Sequence, residues 1–517
     1  MLMRNLLFIL SILAYQNTMG QDTSFIYTYG GLSYDQGRSV QQTSDGGYIL
    51  AGSTGSFGLG NSDMYLVKVD SSGNYLWSRS YGGSFTDVGM HVEQTPDKGY
   101  IFLGYTDSYG AGGYDIYLVK TDSIGDTLWT KTYGGLNWEI GHELVQTFDG
   151  GFAIIGETFS YGAGGSDVYL IKTDISGDSL WTKTYGGLAD DFGRSIKETL
   201  DSGFIIAGGT ESYDLGKGDA YLIKTDSTGD TSWTHVYGGA EMDFAASVIQ
   251  TLDSNYAFTG TTKSYNVGNK DIYFVIVNDT GAVLFDHYHG GLADDDEGYQ
   301  LVQQNPNRYL LLGYTKSFGA GEKDFYLFRG DKNGYWLGPG TSPTFGYPFD
   351  DEGFSIALRS GGGLALLGNT RSIGTGLTDM LLIITDSIGA DYNGNAIGIS
   401  TPVSSFNDTN IATVLISIDD IKSMGTAATI YPNPTNGPAF INIIGNDIAD
   451  YDVRVTLSDM SGKQLGISQE IIAFPYLIST ETLSNGIYIY QISLISKSAS
   501  KRNKFYRGKL ILVKEKE

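Results

Sequence analysis

The sequence predicts an all-β chain whose larger part is a seven-bladed β-propeller. Three observations predict it. A tripeptide position, mostly Tyr-Gly-Gly, recurs at Tyr29, Tyr81, Tyr133, Tyr185, Tyr237 and His289 in steps of 52 residues, with a degenerate seventh copy near Phe345. Each unit holds four short alternating runs separated by turn signals, which is the pattern of a propeller blade. Composition agrees, because 72 glycines, 37 tyrosines and 24 phenylalanines against 18% charged residues suit tight turns and half-buried pleated strands. At 517 residues the chain also exceeds the ~250 to 300 at which a single core stops growing.

Residues 1–20 read as a secretory signal peptide. Arg4 supplies the positive start, Leu6 to Ala14 a short apolar run, and Thr18 and Gly20 the small residues before a cut at Gln21. The run is shorter than the ~20 apolar residues of a membrane span, and no later segment reads as transmembrane. With no cysteine in the chain, disulfides, thiolate metal sites and a lipidated cysteine are excluded.

Residues 21–386 carry the propeller. In the second unit the runs are GMHVEQT, GYIFLGYT, DIYLVKTD and TLWTKTYGG. Asp45 to Gly47 and Asp149 to Gly151 supply the positive φ of tight hairpins. Three-strand sets begin near Gly37, Gly89, Gly141, Gly193, Ala245, Gly298 and Gly353, and single fourth strands follow the first six. The ring therefore closes only if the N-terminal run SFIYTYGG completes the last blade, which leaves no open edge. The sixth fourth strand, GYWLGPGTSPTFG, is irregular.

Two acidic positions recur in every unit. Asp35, Asp87, Glu139, Asp191, Asp243, Asp296 and Asp351 precede the first strand, and Asp63, Asp115, Asp167, Asp219, Asp271, Asp324 and Asp379 precede the third. Both rings fall on one face of the disc, where carboxylates could ligate Ca²⁺ or cap loop N–H groups. Sevenfold recurrence favours capping, since a reaction centre needs asymmetry, and no cofactor is otherwise expected. The same face carries Phe57, Tyr109, Tyr161, Tyr213, Tyr265 and Phe318, with Ile373 in the last blade. These rings either receive a glycan or protein ligand or wedge between blades.

The hairpins Asp122 to Trp129 and Asp174 to Trp181 resemble the tryptophan-docking repeat of quinoprotein-type propellers, with a turn one residue shorter. That resemblance implies that Trp77, Trp129, Trp181 and Trp233 lock blade to blade, and it does not extend to a quinone cofactor. Among unrepeated residues, His91 and His142 lie in channel-lining first strands, one position out of register and so facing different directions. His287 and His289 flank a strand end near Asp294, Asp295 and Asp296, ligand types for a metal but without diagnostic spacing. No nucleophile elbow, Walker loop, zinc-protease motif or basic nucleic-acid patch occurs.

Residues 387–426, rich in Ser, Asn, Gly and Thr, read as a linker. From 427 to 517 the character changes. Pro432, Asn433, Pro434 and Gly437 in YPNPTNG, Gly462 and Lys463 in VRVTLSDMSGKQL, Gly486 and Tyr488 in LSNGIYIYQI, and the final GKLILVK follow in an order that resembles the type A C-terminal sorting domain of the Bacteroidetes type IX secretion system. The resemblance implies a small Ig-like β-sandwich, following the propeller, that hands a folded cargo to the type IX machinery, usually with cleavage on export. The insert SKSASKRNKFYRG before the last strand departs from it in length and basicity. By count the tail holds ten basic and eight acidic residues, so the net charge of −25 resides in the rest of the chain.

The functional expectation is a secreted or cell-surface binding or adhesion module for a glycan or protein. The candidate ligand-face residues are Phe57, Tyr109, Tyr161, Tyr213, Tyr265, Phe318, His142 and His289. The competing classes are an extracellular glycoside hydrolase or polysaccharide lyase at the channel mouth, which needs unique carboxylates, and a purely structural surface protein.

Overall fold

The computed structural model describes residues 25–389, apart from 214–215, 266–268, 292–294, 320–321, 334, 336, 338–341 and 375, together with the strands between 427 and 512. The signal peptide, most of the linker, Asp294 and the sorting-motif residues Pro432, Asn433, Pro434, Gly437, Gly462 and Lys463 lie outside the described residues.

Every regular element among the described residues is a strand. Seven four-stranded antiparallel sheets form the propeller, and six of them take consecutive strands in the order one-two-three-four. The seventh takes its outer strand from the start of the chain: Phe25–Tyr29 pairs with Asp379–Thr385, Phe25 opposite Ile384 and Tyr29 opposite Met380. Closure by the N-terminal strand is thus as expected. Its physical reason is burial, because Phe25, Ile26 and Tyr29 are at most 8% exposed.

Each sheet buries both faces against its neighbours, so the middle strands are apolar without alternation. Tyr48–Thr54 and Asp63–Val69, for example, are buried along their whole length. The core is a circle of clusters, each shared by two adjacent blades. One joins Val40, Leu50 and Val67 of the first blade to Leu367, Leu382 and Phe25 of the seventh. Outer strands such as Thr127–Tyr133 alternate between exposed and half-buried residues, as one-sided strands do.

Two tethers repeat at the rim. The tripeptide tyrosines donate their hydroxyls to a hairpin carbonyl of the next blade, Tyr81 Oη to Gly125 O at 2.7 Å and Tyr185 Oη to Gly229 O at 2.6 Å. The expected tryptophan docking is present too. Trp77 meets Tyr100 of the next blade edge-on at 5.7 Å between centroids, and Trp233 meets Tyr256 at 6.0 Å.

A further periodic contact escapes the sequence reading. Lys68, Lys120, Lys172 and Lys224 are buried in third strands and reach Asp45, Asp97, Asp149 and Asp201 of the hairpin turns at 2.8 to 3.1 Å. The lysines, with a threonine hydroxyl and a glycine N–H, hold Asp45, Asp97 and Asp149 at about 2. The turns themselves need positive φ at one position, filled by Gly46 and Gly150 but by Lys98, Ser202 and Ser254 elsewhere.

The sixth fourth strand is reduced to Thr344–Phe345, as its irregular sequence predicts. In the tail two sheets form. One joins Ala427–Tyr431, Ala439–Ile444 and Tyr476–Ile478, and the other joins Gln469–Ile471, Tyr451–Asp459, Gly486–Ser496 and Lys504–Leu512. Gly486 and Tyr488 open the longest strand, and the second half of the basic insert is absorbed into the last one, with Leu494 opposite Lys504.

Candidate functional site

In every innermost strand the pairing slips at the same place. The register jumps from Gly37 to Ser39, Gly89 to His91, Gly141 to Glu143, Gly193 to Ser195, Ala245 to Ser247, Gly298 to Gln300 and Gly353 to Ser355. Glycine precedes the slip because blades crowd there: a Cβ on Gly89 would lie 2.2 Å from Gly52 O of the preceding blade. A bulge leaves its extra residue unpaired and bends the strand. The seven extra residues are Arg38, Met90, His142, Arg194, Ala246, Tyr299 and Phe354, and all seven border one axial cavity of about 470 Å³.

The residue after each bulge does structural work. Ser355 Oγ accepts from Val40 N at 3.0 Å, Ser195 Oγ from Val248 N at 3.1 Å, Glu143 from Ile196 N at 2.8 Å and Gln300 from Ile356 N at 2.6 Å, each tying a blade to the next. His91 occupies this position in the second blade, 3.8 Å from Glu143. Regular alternation puts His91 and His142 on different sides. The bulge corrects that expectation, since both border the cavity.

The carboxylates that line the cavity, Glu143 and Glu297, are engaged, as are Glu352 and Glu157 behind its wall. Glu143 is paired with Lys197, and Glu352 with Lys323. Glu297 is paired with Lys270 and accepts from Tyr299 Oη at 3.0 Å and Tyr314 Oη at 2.8 Å. Burial and the Glu297 carboxylate both push the Tyr299 hydroxyl far above its ordinary range. Glu157 lies 3.4 Å from His142 Nε2.

The arginines differ. Arg194 Nη1 lies 2.9 Å from His142 Nε2, and its guanidinium sits over Phe192 at 4.8 Å. Burial, then the Arg194 cation, push His142 down to about 4, so its ring is neutral near pH 7. Arg38 lies over Phe354 at 4.2 Å. Arg38 has no direct ion pair among the described residues, though the Glu352 carboxylate favours its cation through space. Burial depresses both arginines, and the charge of Arg38 adds to the depression of Arg194.

The residues expected on the ligand face lie around the mouth instead of inside it. Tyr109, Tyr161, Tyr213 and Tyr265 donate their hydroxyls to Gly82, Gly134, Gly186 and Gly238 of the preceding blade at 2.5 to 3.0 Å, while their rings stay 38 to 50% exposed. Phe57 and Phe318 pack on Tyr65 and Tyr326 of their own blades at 5.5 and 5.7 Å. His289 lies against both Phe318 and Tyr326, its ring centroid 6.1 and 5.7 Å from theirs, and bonds Tyr326 Oη at 2.7 Å. Burial holds it at about 4. His142 alone of the expected set enters the cavity.

The acidic rings cap loops. Asp87 accepts from Gly83 N and Ser108 Oγ, both at 2.7 Å, and from Thr106 Oγ1, while Asp115 accepts from Ala111 N at 2.9 Å. The two rings also meet: a Cβ on Gly82 would lie 2.4 Å from both Asp63 Oδ1 and Asp87 Oδ2, which is why glycine follows the tripeptide tyrosine. Asp295 accepts from Lys270 N at 3.2 Å and faces Lys316 at 3.7 Å, whereas Asp296 caps Gly291 N and Ser317 Oγ. Among the described residues no group of three His, Asp or Glu is arranged to hold a metal.

Residues 429–505 match the family described as the secretion system C-terminal sorting domain. The tail is a secretion sorting domain. The match bears out the resemblance read from its motifs, and the sorting domain directs the chain to the cell surface or beyond it. No helix among the described residues is long and apolar enough to cross a membrane.

The regulatory protein FlaEY of Caulobacter vibrioides is 25% identical over 238 residues, which is 39% of this chain. The chain spans about a quarter of that relative's length, 24%. Among solved structures, a eukaryotic initiation factor aligns with a TM-score of 0.31 at 10% identity, covering 67% of this chain and 89% of that one. The endo-1,5-alpha-L-arabinanase of Thermotoga petrophila aligns at 0.26 and 10% identity, covering 69% and 99%. A GH43_12 protein from a capybara gut metagenome aligns at 0.27 and 10% identity, covering 96% and 92%.

Proposed function

We propose that the exported propeller is a binding module that takes its ligand, a glycan or a protein group, into the axial cavity at the cell surface. One observation carries this reading. The blade-to-blade tethers at the rim repeat one residue type, as Tyr81 and Tyr185 do, whereas the bulge position presents Arg38, Met90, His142, Arg194, Ala246, Tyr299 and Phe354 to a single space. A volume of about 470 Å³ is in the range of small-ligand sites. The carboxylates there are already engaged by lysines, tyrosines or His142, which favours binding over glycoside hydrolysis, a reaction that asks for two working carboxylates.

A glycan array with the purified protein tests this, read alongside two variants. Ala246→Trp fills the cavity and should remove binding, while Tyr109→Ala, on the outer ring of the face, should leave it. The reverse result would move the ligand to the aromatic ring around the mouth. Release of new reducing ends from a bound glycan would turn the reading toward an enzyme.

A further inference from the structure

Building on the cavity as the ligand site, we propose that Arg38 and Arg194 form a receptor for a carboxylate carried on a sugar ring, so that the ligand is an acidic saccharide unit. Two guanidinium groups border the same cavity from the first and fourth blades. In a chain of net charge −25 a contacting carboxylate for each would be easy to supply, yet Glu352 acts on Arg38 and Glu157 on Arg194 only through space, and the polar group that Arg194 contacts is the imidazole of His142. A half-buried cation without a contacting counter-charge is costly. The carboxylates nearby relieve it only in part, because Lys197, Lys270 and Lys323 take Glu143, Glu297 and Glu352 and His142 takes Glu157.

The geometry holds the cations ready. Phe354 and Phe192 lie under the guanidinium groups of Arg38 and Arg194 at 4.2 and 4.8 Å, which fixes each plane by cation–π attraction and leaves the N–H edges for a planar oxyanion. Arginine suits this role because its fork matches a carboxylate in two parallel hydrogen bonds. Met90, Phe244 and Phe354 line the same space with apolar surface. That surface fits the C–H face of a sugar ring and is wasted on a small inorganic ion, so the chemistry favours a carboxylate attached to such a ring.

The test uses the full-length protein in chloride-free buffer, with thermal-shift and calorimetric titrations of glucuronate, oligogalacturonate, glucose and inorganic phosphate. Glucuronate or its oligomer should bind and raise Tm in proportion to log concentration, and glucose should not. Arg38→Gln and Arg194→Gln should each weaken acidic-sugar binding at least tenfold, with Arg38→Lys intermediate. Arg38→Gln should also hold or raise Tm without ligand, because it removes a buried cation that no carboxylate contacts.

Binding of neutral and acidic sugars alike, lost in Ala246→Trp but untouched by Arg38→Gln, would overturn the carboxylate and keep the cavity. Acidic-sugar binding lost in Arg38→Gln but kept in Ala246→Trp would overturn the cavity. Phosphate binding equal to that of glucuronate would replace the sugar acid with a simple oxyanion site. No binding by any of the four probes, with a lowered ligand-free Tm in Arg38→Gln, would make the arginine structural and overturn the proposal.

Discussion

The rim of the disc and its axis are built by opposite rules. At the rim one residue does one job again and again: Tyr29, Tyr81, Tyr133, Tyr185 and Tyr237 each donate to a glycine carbonyl of the neighbouring blade at 2.6 to 2.7 Å. At the axis the bulge position holds two arginines, a methionine, a histidine, an alanine, a tyrosine and a phenylalanine. The rim repeats because every blade interface poses the same packing problem. The axis varies where all blades face one space, as the proposed ligand site would require, since a ligand without sevenfold symmetry needs different groups on different sides.

The largest expected effect comes from breaking the rim at its seam. Deleting residues 22–31 removes Phe25, Ile26 and Tyr29 from the core and bares the edge of Asp379–Thr385. Burial of three such side chains stabilises by roughly 5 kcal/mol, so Tm should fall by about 6 °C or more. Light scattering should report association through the bared edge. A truncated protein that stays monomeric with the Tm of the parent would show that the seam does not hold the ring.

Titration offers a second, intermediate test. Burial raises Asp35, Asp63, Asp115, Asp167 and Asp351 on the face, and it raises Glu93 near the axis to about 7. Their ionised forms cost the fold stability, and that cost is relieved as pH falls through each raised value. Asp45, Asp97 and Asp149 on the opposite face are depressed to about 2, so their contribution is present above the unfolded value near 4 and is lost as pH falls from about 4 toward 2. Tm should therefore hold or rise slightly from pH 7 to about 5 and drop steeply below about 4. Asp97→Asn should blunt the acid limb, and a Tm that declines steadily from pH 7 would contradict the assignment.

The smallest effects separate rim from axis most directly. Tyr185→Phe removes one buried hydrogen bond and should cost about 1 kcal/mol by denaturant titration. Met90→Ala, on the cavity wall, should cost less than that and act on ligand affinity instead. Equal stability losses from the two would erase the distinction.

Much of the fold is legible in the sequence for the reason that the rim is uniform. The blades need hairpins, docking aromatics and capping carboxylates, and the chain spells them at a 52-residue step through the first five units and at slightly longer steps in the last two. Even the closing strand follows from the count of strand-like runs. The axis is harder to read because a single bulge reverses which residues face inward. Strict alternation separates His91 from His142, and only the slip after Gly89 and Gly141 brings both to the cavity. Arg38 and Arg194 share a repeat position and are visible as such, but a search for carboxylates, histidines and exposed rings passes over them. The period of Lys68, Lys120, Lys172 and Lys224 is equally plain, though a lysine in an apolar strand reads as exposed until its aspartate is found one turn away.

The seam has a consequence in time. Phe25 leaves the ribosome among the first residues of the propeller and Ile384 among the last, so the strand that closes the ring waits for its partner while about 360 residues are added. At ~5 to 20 residues per second that is a delay on the order of tens of seconds. Six blades can zip from neighbours in sequence during that interval. The seventh cannot, which makes its completion the one late, long-range event in the folding of the disc and couples the circle's integrity to arrival of the whole chain.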